Sequence, residues 1–140
     1  MDPPPTKFWE DLAEDLRDPE FLREYVRESV RIATIDELVN KLDEAREAAG
    51  LSKAGLARAI GADPAVVRRL FSAGHVNPTL GTLAEVAVAL GMRVTLQPLS
   101  PQEREQVTQP LLEGRAADPE VLAERMAAER RTRRDKALAG

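Results

Sequence analysis

The sequence predicts an all-α protein that carries one short strand. Three observations predict it. Apolar residues recur every three or four positions over most of the chain before residue 90, the period of a helix with one buried face. Helix-start pairs punctuate that pattern at Asp18-Pro19, Asp63-Pro64 and Asp118-Pro119, with Asp suited to the cap and Pro to the first helical position. Only Met92-Arg93-Val94-Thr95-Leu96-Gln97 alternates apolar and polar, as a half-buried strand does.

The elements follow in order. Pro3-Pro4-Pro5 is an extended lead-in. Phe8, Leu12 and Leu16 recur every four residues, with Trp9 beside them, and predict a short amphipathic helix. Asp18-Pro19-Glu20 starts a second helix bearing Phe21, Leu22, Tyr25, Val26 and Val30. Thr34-Ile35-Asp36-Glu37 reads as a capping box opening a third, whose apolar face is Ile35, Leu38, Val39, Leu42, Ala45 and Ala49. Gly50 closes it. Ser52 caps a short helix to about Ile60, Gly61 breaks it, and Asp63-Pro64 opens another through about Ser72. Residues 73–78 form a loop, and a helix resumes from Leu80 to Leu90. Pro98 and Pro101 end the strand, a polar helix covers 101–113, and Asp118-Pro119-Glu120 starts the last helix, with Val121, Leu122 and Met126 on it. The charged tail beyond is expected to fray.

Composition limits the function. The chain has 140 residues, enough for one domain with extensions. Aromatics are 4%, so the core must be built from Leu, Val, Ile and Ala. There is no cysteine, which excludes disulfides, zinc fingers and thiol catalysis, and the single His75 excludes a multi-histidine metal site. No apolar run is long enough to span a bilayer, and the first residues lack the features of a signal peptide, so a cytoplasmic protein is expected. The net charge of −4 is unevenly spread. Residues 1–50 hold 7 basic against 14 acidic side chains, whereas residues 51–98 hold 5 against 2.

That basic middle contains two short helices joined by a glycine-containing turn, the helix-turn-helix plan. Ala57 is small where the two helices cross, and Gly61 sits where the turn needs positive φ. Val67 and Leu70 point back onto Leu56 and Ile60.

The flanking residues extend the match. Ala45-Arg46-Glu47-Ala48-Ala49-Gly50-Leu51-Ser52, Gly61-Ala62-Asp63, Asn77-Pro78-Thr79-Leu80 and Thr82-Leu83 together resemble the XRE, or lambda-repressor-like, DNA-binding family over residues 35–91. The resemblance implies a compact helical bundle with helix 64–72 as the recognition helix. Leu16-Arg17-Asp18-Pro19-Glu20-Phe21 through Tyr25 resembles the N-terminal extension of HigA-type antitoxins. Four segments are therefore expected: an acidic helical extension (1–34), a DNA-binding domain (35–91), a dimerising strand (92–98) and a polar helical or partly disordered tail (99–140).

In the family's docking mode the start of the recognition helix meets base edges in the major groove. Carried onto this chain, the groove-facing positions are Pro64, Ala65, Arg68 and Arg69. Arg69 is assigned to bases, because an arginine fork matches guanine bidentately, and Arg68 to a base or a phosphate. Pro64 and Ala65 depart from the family's polar pattern; with no side-chain donors, they are left with apolar contact, as with a thymine methyl, and more weight falls on DNA shape. Lys53 stands where glutamine is common and can reach a phosphate. Ser52 combines a cap with a possible hydroxyl contact, while His75, Asn77 and Thr79 occupy the loop where family members touch the backbone. Arg58 is a further phosphate candidate.

A lone strand at 92–97 leaves backbone groups unpaired, so Met92, Val94 and Leu96 are expected at a two-fold dimer interface, with the C-terminal segment or another protein as alternative partners. Phe8, Trp9, Leu12, Phe21 and Tyr25 either pack onto the bundle or bind a basic partner such as an RNA-cleaving toxin. Arg130 to Lys136 carries five basic residues that either supplement phosphate binding or are merely solvated. No glycine-rich phosphate loop, metal-ligand cluster or nucleophile with a base is evident, so neither an enzyme nor a cofactor is expected. The reading is a dimeric repressor of double-stranded DNA, as an autoregulating antitoxin, a stand-alone XRE-type regulator, or an adaptor using the fold without DNA.

Overall fold

The computed structural model describes residues 6–72 and 77–128. Helix α1 spans Thr6–Asp15, α2 Pro19–Ala48, α3 Lys53–Ile60, α4 Pro64–Leu70 and α5 Leu80–Ala89. After an irregular stretch come α6 at Pro101–Glu103, a π-helical turn at Arg104–Thr108, α7 at Gln109–Glu113 and α8 over 119–128. The wide π turn ends two residues before Pro110 and includes Gln106, whose carbonyl the proline ring would crowd in a regular helix.

The chain divides into two compact units. One is Thr34–Gln97; the other joins the chain before Thr34 to the chain from Pro98 onward. In the first, Val39, Leu42, Leu56, Ala57, Val67, Leu70, Leu83, Val86 and Ala87 form the core. Leu56, Val67 and Val86 are fully buried, each contributing about 1.5–3 kcal/mol by leaving water. In the second, Leu16, Leu22 and Val26 are buried with Val107, Leu122, Ala123 and Met126. Each unit thus has the aliphatic core that a chain so poor in aromatics requires.

Two expectations are corrected here. The capping box at Thr34 does not form: α2 runs unbroken through it. No glycine or proline interrupts residues 20–49, and each unit buries apolar side chains of this one helix, so a local cap signal does not stop it. The strand at 92–97 does not form either, and the described residues contain no strand, so the fold is all-helical. The Met92 N–H instead donates to the Ala87 carbonyl at 2.8 Å, sealing the end of α5. Residues 92–97 then continue exposed and irregular. Alternation alone makes no ladder, and no other described segment offers a strand edge to pair with.

Within residues 98–128 the chain is tied to the second unit. The Arg23 Nε and Nη2 atoms donate to the Leu111 and Leu112 carbonyls at 3.0 and 3.1 Å, capping the end of α7. The expected lead-in at Pro3–Pro5, the site residue His75 and the basic run from Arg130 to Lys136 lie outside the described residues.

Candidate nucleic-acid interface

The interface is built on α3 and α4. The Ser52 Oγ accepts the Gly55 N–H at 2.9 Å and starts α3, and the Asp63 carboxylate accepts the Ala65 N–H at 2.8 Å and starts α4. Between them Gly61 has φ 64°, left-handed backbone that a side chain would strain. Its N–H donates to the Arg58 carbonyl and the Ala62 N–H to the Ala57 carbonyl, so the turn folds tightly back on α3. Ala57 is fully buried in the resulting core.

That packing decides which face of α4 is free. Val67 and Leu70 are buried, so on a helical period Ala65, Arg68 and Arg69 point the other way. Arg68 and Arg69 are exposed, and neither is in an ion pair among the described residues. Pro64 is exposed and Ala65 half-buried. Lys53, at the first turn of α3, is half-buried; Arg58 on α3 is exposed. The only carboxylate on α3, α4 and their connecting turn is Asp63, so this face is cationic.

The remaining residues sort differently. The Ser52 oxygen already accepts the cap bond, which leaves its O–H as a donor. Thr79 caps α5, its Oγ1 accepting the Thr82 N–H at 3.1 Å. Asn77 is exposed before the half-buried Pro78. Met92 and Val94 line a groove of about 470 Å³ with Leu38, Leu42, Leu83 and Ala87, whereas Leu96 is 99% exposed. In the other unit, Trp9, Leu12 and Tyr25 pack against the buried cluster, while Phe8 and Phe21 remain exposed. Phe8 meets Trp9 edge-on at 5.4 Å, and Phe21 stacks on Tyr25 at 5.9 Å.

Sequence reasoning passed over two residues on or beside the free face. Ser72 follows Arg68 by four positions, one helical turn, and is exposed; its Oγ donates to the Arg69 carbonyl at 2.8 Å. Val66, between Ala65 and the buried Val67, keeps 37% of its surface open. The four-residue spacing is the signal for Ser72. For Val66 the signal is the assignment of Val67 to the core, because adjacent helix residues point about 100° apart.

No curated protein and no solved structure matches the chain. Residues 42–97 match the helix-turn-helix family, and that stretch contains α3, α4, α5 and the core that orients them. No helix among the described residues is long and apolar enough to cross a membrane. Residues 42–97 thus carry a helix-turn-helix domain of the XRE type, a kind of domain that binds DNA in transcription regulators.

Proposed function

We propose that the chain is a sequence-specific repressor that occupies the operator of its own operon as the antitoxin of a toxin–antitoxin pair. The observation that carries the DNA-reading part is the free face of α4. It holds two exposed arginines outside any ion pair among the described residues, opposite a core face that fixes the helix. Arg69 donates to guanine, Arg68 to guanine or phosphate, and Lys53 to phosphate. Bound there, the protein excludes polymerase without any cofactor.

A homodimer suits this role, because two recognition helices about 34 Å apart read two half-sites on one face of the duplex. The second copy covers the exposed apolar side chains of Met92, Val94 and Leu96. The antitoxin role is supported by the likeness of residues 16–25 to the HigA-type extension and by the excess of acidic residues before residue 51. Exposed Phe8 and Phe21 give a basic toxin apolar anchors within that acidic segment.

Binding to the gene's own upstream DNA, against scrambled DNA, tests the first part. Co-purification with the product of an adjacent gene for a basic ribonuclease-like protein tests the second. A stand-alone gene with specific DNA binding favours a simple regulator, and failure to bind DNA specifically favours an adaptor. A monomer by light scattering at micromolar concentration contradicts the dimer.

A further inference from the structure

The first turn of α4 offers a base pair no hydrogen-bond donor. Pro64 has no N–H. The Ala65 N–H is taken by Asp63 Oδ1 at 2.8 Å, and the Val66 N–H by the Asp63 carbonyl at 2.9 Å. The side chains of Pro64, Ala65 and Val66 contain no polar atom, yet Pro64 is exposed and Val66 keeps 37% of its surface in water. Both core-facing positions of the helix are filled by Val67 and Leu70, so Val66 is not needed to fill the core. Within about one turn the helix surface passes from wholly apolar to doubly cationic at Arg68 and Arg69.

The major groove presents one apolar feature, the C5-methyl group of a pyrimidine, and it presents paired acceptors on guanine. A surface with no donors gains nothing from a bare base edge and desolvates it without compensation. Against a methyl group it buries apolar area on both sides. We propose that Pro64, Ala65 and Val66 form a methyl-reading surface, so that specificity comes from a pyrimidine C5-methyl placed within a few base pairs of an arginine-bound guanine. The proposal rests on α4 being the DNA-reading helix. It adds Val66 as a specificity-determining residue.

The methyl group has two sources, thymine and 5-methylcytosine, and the experiment separates them. Duplexes bound by the full chain are first selected from a random pool. In the selected duplex each thymine is replaced singly by uracil, which removes only the methyl. Each cytosine is likewise replaced by 5-methylcytosine, which adds only the methyl. The expected result is one or two positions at which uracil weakens binding roughly threefold to fivefold, the value of one buried methyl. A gain of similar size at 5-methylcytosine instead assigns the surface to methylated cytosine. Val66→Ser, a change at an exposed position, should abolish the methyl dependence, whereas Arg69→Ala should weaken binding and retain it. Selected duplexes that bind through Arg68 and Arg69 but respond to neither replacement overturn the methyl surface and leave the DNA reading intact. A pool in which no duplex is enriched overturns both.

Discussion

The guanidinium of Arg46 stands 5.7 Å from the centre of the Phe71 ring, and its Nη1 donates to the Leu51 carbonyl at 2.8 Å. One side chain therefore ties the end of α2 both to the start of the helix-turn-helix and to the residue that follows α4. Asp43 holds the same guanidinium from behind at 2.9 Å, and only 13% of the arginine side chain is exposed.

This clamp predicts a stability effect on the helix-turn-helix. Arg46→Ala removes a hydrogen bond to a charged donor and a cation–π contact, for a loss of about 1–2 kcal/mol. Phe71→Ala removes half-buried apolar area, for about 2 kcal/mol. Because both changes touch one contact, the double variant should lose less than the sum of the two. Urea unfolding of the four proteins checks it; strict additivity would show that the contact carries no energy.

The turn makes a second prediction. A β-carbon at Gly61 would meet no atom within 4 Å, so Gly61→Ala should cost only the strain of left-handed backbone, about 1–2 kcal/mol. Ala57 is fully buried in the core that α3 and α4 share, so Ala57→Leu overpacks it and should push the helices apart at a cost of about 1–3 kcal/mol. The variants should separate in binding more than in stability. Gly61→Ala, once folded, keeps α4 in place, whereas Ala57→Leu displaces its free face. Thermal melts beside DNA titrations of the same samples decide it.

These positions were legible in the sequence because their signals are local. Gly61 breaks a helix, Asp63-Pro64 starts one, and Ala57 is small at a crossing; none needs a distant partner to be read. The alternation at 92–97 was legible too, but a strand exists only with a neighbour, and that is not a property of the segment itself. Thr34-Ile35-Asp36-Glu37 carries a cap signal that tertiary burial on both sides of it overrides. The packing of Val107, Leu122 and Met126 with Leu16 and Leu22 joins the two ends of the chain, and no period in either segment announces it. At the site, Arg68 and Arg69 were candidates through the family resemblance, while the extent of exposure of Val66 and the closure of the first-turn amides required the backbone.

Gly114 predicts a contrast with Gly61. Its φ is 75°, and a β-carbon there would lie 3.1 Å from both the Arg23 Cζ and the Pro19 Cβ. Gly114→Ala should therefore cost more than Gly61→Ala, because strain of about 1–2 kcal/mol is joined by a contact that must yield. Arg23 and Gly114 belong to the unit without the helix-turn-helix. The expected outcome is a lowered melting temperature with unchanged DNA affinity at temperatures where the protein stays folded. Equal losses for the two alanine variants would contradict the packing around Arg23.

Lys53 and the arginines should differ in the kind of DNA binding they support. Lys53→Ala should weaken binding to every sequence alike and reduce the slope of log affinity against log salt by about one, the signature of one lost phosphate contact. Sequence preference should stay. Titrations of specific and scrambled duplexes at several salt concentrations separate these effects, and a changed preference would reassign Lys53 to a base.

The claim that the free face of α4 reads DNA sequence is tested most directly by fluorescence anisotropy on the gene's own upstream region. The wild-type chain and Arg68→Ala/Arg69→Ala are compared at two salt concentrations with scrambled competitor. Each arginine that reads a base is worth about 1–3 kcal/mol of discrimination, so the double variant should lose preference for the specific duplex while keeping weak, salt-dependent binding. Equal, salt-sensitive binding of the wild-type chain to both duplexes would contradict sequence reading at this promoter, and an unchanged preference in the double variant would contradict the assignment to α4.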